Sequence, residues 1–295
     1  MDNFIQSLKP RIKSLRESLY LIARNKLSLT ALIILVLLIV GALLAPYIIP
    51  YPEDLADATH TQIKLQAPSL EHLMGTDELG RDIFSRVVYG ARVSLSAALA
   101  AVGLSLVIGI PLGAIAGSFG GWVDNLIMRI TDVFLSFPPL LLAIAMVAVM
   151  GSSLNNAILA IALSWWPWYT RLIRGQAISV KERKFVQAAE TIGTGRMKII
   201  FKHIIPNCIS PVIVQASMDI GGVILTVASL SFLGLGAQLP TPEWGLMISM
   251  GRRFFPDSWW YCIFPGLAIF VTVLCFNLLG DAIREILDPK TRKNY

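Results

Sequence analysis

The sequence predicts an all-α integral membrane protein with six transmembrane helices, and three observations carry that prediction. The chain of 295 residues is 55% hydrophobic and only 15% charged, where soluble domains hold about 25% charged residues. Charge-free runs recur along it, and a helical span needs roughly 20 mostly apolar residues. The charges that remain are segregated, with basic segments on one side of the runs and an acidic one on the other.

The first run, Leu27 to Ile49, has no charge in 23 residues. Its length, the 26-residue basic stretch before it and the lack of a nearby small-x-small site mark a permanent span rather than a cleaved signal. Further spans are expected at Val93–Ala116, Thr131–Met150, Ser153–Thr170, Asn207–Gly234 and Tyr261–Gly280. The third and fourth come from one charge-free stretch, Val133 to Thr170, divided at Gly151-Ser152-Ser153 and Asn155-Asn156. Prolines inside these runs (Pro111, Pro138, Pro139, Pro167, Pro211, Pro265) are compatible with membrane helices whose neighbours satisfy the freed carbonyls.

Charge bias sets the orientation. Residues 1–26 hold six Lys/Arg against two acids, residues 171–202 eight against two, and residues 51–92 four against seven. The basic segments belong in the cytoplasm. Four spans separate the first two segments, an even number, so both can lie inside, and two further spans return the C-terminus to the same side. Trp259 and Trp260, with Trp165, Trp166 and Trp168 at the end of span four, suit an interfacial aromatic belt better than a ligand-stacking role.

Cys208, Cys262 and Cys275 lie in or beside apolar runs and read as small core residues. His60, His72 and His203 are scattered and form no metal-binding motif. No G-x-x-x-x-G-K-[ST] sequence occurs, so any ATP used is hydrolysed by another protein. An enzyme of the membrane interior would need clustered polar groups, and only Asp219 is available at depth. A secondary transporter often shows repeated halves, and none is visible. No selectivity-filter sequence suggests a channel.

Between spans four and five lies "FVQAAETIGTGRMKIIFKHIIPN", residues 185–207. Phe185, Ala188, Ala189 and Ile192 share the i, i+3, i+4, i+7 spacing of one helix face, as do Met197, Ile200, Phe201 and Ile204. Gly193 follows the first stripe where a helix end wants a left-handed residue. Pro206 closes the second. A short helix–turn–helix held in the cytoplasm suits docking into a partner's groove, and its periodicity equally allows a helix resting on anionic lipid. Nucleic acid is not an expected partner, because the piece is tied to the membrane at both ends and lacks a base-reading face.

The residues Gln187-Ala188-Ala189, then Gly193, then Ile204-Ile205-Pro206 resemble the EAA loop of ABC importer permeases, E-A-A-x-x-x-G followed after nine residues by I-x-L-P. The departures are Gln187 for Glu, His203 at the first Ile position and Ile205 for Leu. Gln187 keeps the length and hydrogen bonding of Glu without its charge. The resemblance implies a coupling helix seated in a cleft of a cytoplasmic ATPase. A second block, "GTDELGRDIFSRVVYGARVSL", resembles the G-T-D-x-x-G-R-D-x-x-S-R segment of the C-type permease subunits of dipeptide, oligopeptide and nickel importers, matched by Gly75, Thr76, Asp77, Gly80, Arg81, Asp82, Ser85 and Arg86. On its own chemistry this block is a turn-rich lead into a helix. Its charges, with Glu78 and Arg92, form either an ion-pair network or a solvated loop of little energetic weight. "LSFLGLGAQLPTPEWGLMI", Leu230 to Ile248, is similar to the same subunits.

The resemblance implies a MetI-like ABC importer permease fold over spans two to six, with span one as an addition. The corresponding division is residues 1–70 for the N-terminal segment, first span and start of the outer loop, 71–288 for the transmembrane domain with its coupling loop at 171–206, and 289–295 for a cytoplasmic tail. It further implies a multi-pass protein of a prokaryotic inner membrane. The expected assembly has a second permease subunit, two cytoplasmic ATPases that use ATP and Mg, and an extracytoplasmic binding protein. No cofactor is expected on this chain and no catalysis by it. Peptides are the implied cargo, with nickel chelates and oligosaccharides as alternatives. Asp219, in "QASMDIGGVIL", either lines the translocation path, meeting a peptide amino group, or makes a helix-packing hydrogen bond; Gly221 and Gly222 favour close helix contact there.

Overall fold

A computed structural model describes residues 25–287. The basic segment 1–24 and residues 288–295 lie outside the described residues. Among the described residues there is no β-strand, only an isolated bridge between Thr76 and Asp82.

Helix α1 spans Lys26–Ile48 and starts at Asn25, whose Oδ1 accepts from the Leu27 amide at 3.0 Å. Its buried residues Ser28, Ala31, Leu35, Ala42 and Ala45 fall on one stripe, while most of its other apolar side chains remain exposed. Helix α2, Ile83–Phe119, has 37 residues. At 1.5 Å per residue it is about 55 Å long, so it outruns a hydrocarbon core of about 30 Å.

The expected third span is a bent pair, not one helix. Helices α3, Gly121–Leu135, and α4, Pro139–Met150, meet at 87°, and Thr131–Met150 straddles the bend. Pro138 and Pro139 supply the reason. Neither has an N–H to continue α3, and the residue before a proline avoids the helical region. Pro139 then occupies the first turn of α4, where its missing donor costs nothing. Among the described residues four helices are long and apolar enough to cross a membrane, and a fifth crossing results if the bent pair counts as one. Helix α5, Leu154–Lys181, has 28 residues, capped by Ser153. It is long enough but less apolar, with Asn155, Asn156 and a basic end. It also runs roughly three turns past Thr170, so residues 171–181 belong to this helix and not to a separate loop.

A short helix α6, Lys184–Thr191, and a single turn α7, Arg196–Ile199, follow. The next residues, Ile200–Ile204, form a π turn leading into α8, Ile205–Phe232. Pro206 therefore does not close the second stripe, and the helix runs without a break from Arg196 to Phe232. The wider turn, with the Ile205 amide bonded to the Ile200 carbonyl, takes the chain past the point where proline cannot donate. Helix α9, Trp244–Gly251, and helix α10, Trp260–Leu287, complete the order.

The bundle is built on the crossing of α2 and α5. Gly109, Gly113 and Gly117 line the α2 face, four residues apart. A methyl group on Gly109 would sit 2.7 Å from the Tyr169 Cβ, and one on Gly117 would sit 2.7 Å from the Arg174 carbonyl oxygen. On Gly113 it would fall on the Thr170 carbonyl and lie 2.8 Å from the Ile173 Cβ. Close backbone approach of this kind is the usual geometry of small-residue repeats in membrane helices. Hydroxyls reinforce it, with Ser105 Oγ donating to the Ala162 carbonyl at 3.2 Å and Thr170 Oγ1 to the Gly109 carbonyl at 3.4 Å.

The two segments expected outside fold onto each other. Trp244, at the start of α9, is buried and donates from Nε1 to the Val87 carbonyl at 2.9 Å. The fully buried Glu243 caps α9 through the Leu246 amide at 2.9 Å and accepts from Ser94 Oγ at 3.2 Å. Burial pushes its carboxyl above the ordinary carboxylate range, against the opposing pull of these hydrogen bonds.

Two outcomes are expected. Replacing Gly113 with valine forces α2 and α5 apart and destabilises the protein by about 1–3 kcal/mol or more. Alanine at Gly103, which has nothing within 4 Å, should be tolerated. Thermal melts in detergent compare the two. For Glu243 the folded-state pKa is raised, so the folded protein holds its proton where the unfolded chain releases it. Stability from this group is present below the ordinary carboxylate range and falls as pH rises through the raised value. Melting temperatures of wild type and Glu243→Gln across that range should converge at acid pH and separate as pH rises.

Candidate functional site

Three places in the fold hold the residues singled out by the sequence. The first is the connection between α5 and α8. Helix α6 ends in a Schellman turn: the Gly193 amide donates to the Glu190 carbonyl at 2.9 Å and the Thr194 amide to the Ala189 carbonyl at 3.0 Å. Gly193 takes φ +80°, a conformation open to glycine and strained for most side chains. Val186 and Ala189 point inward onto a second core formed with Ile173, Val180, Ile199 and Ile200. Gln187 and Ala188 are exposed. Ile204 is buried, Ile205 half-buried and Pro206 exposed.

The two predicted stripes are thus split between an inward and an outward face. Ile192 is 81% exposed, and Phe185, Met197 and Phe201 are exposed with it. The result is an apolar surface that the described residues leave uncovered. Behind it, a cavity of 360 Å³ reaches the end of α2, lined among others by Ser118, Phe119, Lys181, Glu190 and Arg196. Lys181 Nζ donates to the Ser118 carbonyl at 2.9 Å, and the Arg196 guanidinium lies over the Phe119 ring at 5.7 Å. The first contact ties the end of α5 to α2, and the second ties the loop to α2.

The second place is the signature block before α2. It is a buried network and not a solvated loop. Asp77, Arg81, Asp82, Ser85 and Arg86 are all nearly inaccessible. Asp77 pairs with Arg81 Nε at 2.7 Å and, more loosely, with Arg86 Nε at 3.8 Å. Arg86 also donates to the carbonyls of Asp54 at 2.7 Å and Pro240 at 3.2 Å, joining the segment before α2 to the one after α8. Asp82 accepts from both the amide and the hydroxyl of Ser85, each at 2.7 Å, and meets His72 Nδ1 at 3.0 Å. His60 Nε2 meets Asp54 at 2.8 Å. Two of the histidines that look scattered in sequence, His60 and His72, are therefore gathered by the fold, while His203 lies beside Phe185 in the connection between α5 and α8; no metal-binding group of three forms among the described residues. Thr76 Oγ1 donates to the Ile63 carbonyl and accepts from the Gln66 amide at 2.9 Å. Gly75 and Gly80 sit at φ +77° and +81°, against Gln66 and His60. Arg92 is exposed and takes no part.

The third place is a cavity of 590 Å³ lined by Trp165, Trp168, Arg171, Leu172, Gln215 and Asp219. Asp219 lies on α8, where its carboxylate accepts from Gln215 Nε2 at 2.9 Å. The Tyr169 hydroxyl approaches the same carboxylate from α5 but forms no well-aligned hydrogen bond there. Gly221 packs against Val273 of α10, while Gly222 is open. Arg171 is paired with Asp132 at 2.6 Å, and Arg174 with Asp124 at 2.5 Å, so α3 is strapped to α5. The tryptophans expected at the end of span four stand in mid-helix instead, because α5 continues to Lys181. Trp166 is buried against Phe134. Trp260 is buried too, under the signature block, and Trp259 is half exposed. Sequence reading missed the role of Tyr169 and of the glycine row. The repeated four-residue glycine spacing was the available signal for the second.

Comparison with known proteins agrees with this architecture. Residues 109–293 match the family of binding-protein-dependent transport system inner membrane components. Residues 15–68 match the N-terminal TM domain of oligopeptide transport permease C. The dipeptide transport system permease protein DppC of Alkalihalophilus pseudofirmus is 47% identical over 279 residues, 94% of this chain and 90% of that protein. The glutathione transport system permease protein GsiD of Escherichia coli O6:K15:H31 is 47% identical over 270 residues, 91% of this chain and 88% of the relative. In fold, the chain is similar to a chain of the MetNI methionine ABC transporter in inward-facing conformations, with a TM-score of 0.54 at 16% identity, covering 70% of this chain and 97% of that one. A helical membrane bundle of this fold, with such identity along nearly its whole length, belongs to the binding-protein-dependent transport system inner membrane components.

Proposed function

We propose that the chain is one half of the translocation pathway of an ATP-driven importer of short peptides. The single observation that carries the proposal is the uncovered apolar surface at Phe185, Ile192, Met197 and Phe201 on a firmly capped helix–turn–helix. Apolar side chains exposed on a short, rigid helix suit a partner's groove. The partner is a cytoplasmic ATPase, one of two in the assembly, which supplies ATP and Mg chemistry that this non-catalytic chain lacks. Gln187, Ala188, Ala189, Gly193, Ile204, Ile205 and Pro206 form the coupling element.

The charge bias places this loop and both termini in the cytoplasm of a prokaryotic cell. The signature block of Gly75, Thr76, Asp77, Gly80, Arg81, Asp82, Ser85 and Arg86 then lies on the outer face, where it braces the surface that receives the binding protein. A second permease subunit completes the pore. The relatives named for dipeptide and glutathione transport support a peptide cargo, and Asp219, in its cavity between α5 and α8, lines the route.

Ala188→Trp and Ile192→Glu alter the exposed face without touching the core, so the melting temperature should hold. ATPase copurification and ATP-driven dipeptide uptake should fall about tenfold or more, because removing a buried Ile contact costs about 1.5–3 kcal/mol. Normal uptake by both variants would remove the loop from the coupling path.

A further inference from the structure

We infer that the cavity between α5 and α8 is a binding station for the protonated amino terminus of the peptide in transit. The inference rests on the importer reading and adds to it the group that is recognised, the residues that recognise it and the depth at which they do so.

Depth comes first. Asp219 lies 14 residues into α8, which begins at Ile205, or about 21 Å along a helix of about 42 Å. Trp165 lies 16 residues before the end of α5 at Lys181, or about 24 Å from it. The cavity therefore lies along the interior stretch of both helices, away from their ends, and an acid within a membrane helix ordinarily serves a partner or a path.

Charge balance selects the ligand. Arg171 and Asp132 neutralise each other at 2.6 Å. Asp219 meets only neutral groups, the Gln215 amide and the Tyr169 phenol, so the lining keeps one uncompensated negative charge. That favours a cation. The Tyr169 hydroxyl is a second, independent sign. Its side chain is fully buried, and its oxygen has no formed hydrogen bond although it sits beside a carboxylate. Buried polar atoms are nearly always satisfied, and an ammonium group donating to the carboxylate and to the phenol oxygen would satisfy this one. Trp165 and Trp168 line the cavity with Asp219, and indole faces attract cations. At 590 Å³ the cavity is within the size of ordinary small-molecule sites, about 300–1,000 Å³. The amino terminus is the one cation that every unblocked peptide carries, so a station that reads it admits peptides of differing side chains.

The test uses the complete reconstituted importer in proteoliposomes, supplied with saturating binding protein and labelled alanyl-alanine. A parallel equilibrium-binding measurement on the permease pair in nanodiscs, without binding protein, compares alanyl-alanine with its N-acetyl derivative. Wild type should bind the free dipeptide and not the blocked one. Asp219→Asn and Trp165→Ala should weaken binding and raise the KM for uptake about tenfold or more, the loss of a charge-assisted contact. Asp219→Glu should restore most of both. Unchanged binding and uptake in Asp219→Asn and Trp165→Ala, or equal binding of the blocked dipeptide, would overturn the inference and leave the importer reading standing. Loss of partner permease from purified Asp219→Asn would overturn it in favour of helix packing. Absence of uptake by the wild-type assembly would overturn the peptide reading itself.

Discussion

The close approach of α2 and α5 along Gly109, Gly113 and Gly117 is the constraint on which the rest of the bundle depends. In lipid, helices gain little by hiding apolar surface from each other, so backbone packing and interhelical hydrogen bonds must hold them together. Here three successive turns of α2 lie directly against the α5 backbone. Helix α5 in turn holds α3 through Asp124–Arg174 and Asp132–Arg171. It also presents Ile173, Ala177 and Val180 to the second core, on which Val186, Ala189 and Ile199 rest. A change at the glycine row would therefore propagate in two directions, to the bent pair and to the loop.

The loop is stiff for identifiable reasons. Its first helix is closed by a Schellman turn, and its second half is one helix with α8. A rod of 37 residues from Arg196 to Phe232 carries a displacement at one end to the other without a hinge, apart from the π turn at Ile200–Ile204. The opposite end of the bundle is rigid by different chemistry. There Asp77, Asp82, Arg81 and Arg86 are buried together, and removing one partner from such a set leaves an unpaired buried charge, typically a loss of about 3–5 kcal/mol. Its value to the fold is that it joins residues 51–82 to the segment after α8 through Arg86 and Pro240.

Much of this was legible from residue order alone. Apolar runs gave the long helices, and Gly193 gave the turn, because both are local properties. The break at Ser136–Pro138 was masked by uniform hydropathy: Thr131–Met150 reads as one span because side-chain apolarity says nothing about a missing N–H at two adjacent prolines. The reach of α5 past Thr170 was hidden for the opposite reason. Arg171 and Arg174 look like the start of a loop, yet they stay helical because Asp132 and Asp124 on α3 neutralise them, a tertiary fact. Burial of the signature block was equally non-local, since it depends on Pro240 and Trp244 more than 150 positions away. Asp219 could be picked out as an acid in an apolar run, whereas its neighbour Tyr169 could not, because nothing in the sequence brings α5 beside α8.

Tyr169 connects these parts. One side of it packs against Gly109 on the glycine seam, and its hydroxyl lies beside Asp219 on α8. The loop that joins α5 to α8 is the same one that bears the uncovered apolar surface. The seam fixes α5 to α2. Any tilt of α8 relative to α5 changes the distance between the Tyr169 oxygen and the Asp219 carboxylate, and with it the affinity of the space between them for a cation. The residues that would feel the ATPase lie in the connection between these two helices, and Phe201, in the helix continuous with α8, is about 27 Å from Asp219 along it at 1.5 Å per residue. No longer chain of contacts is required to couple them.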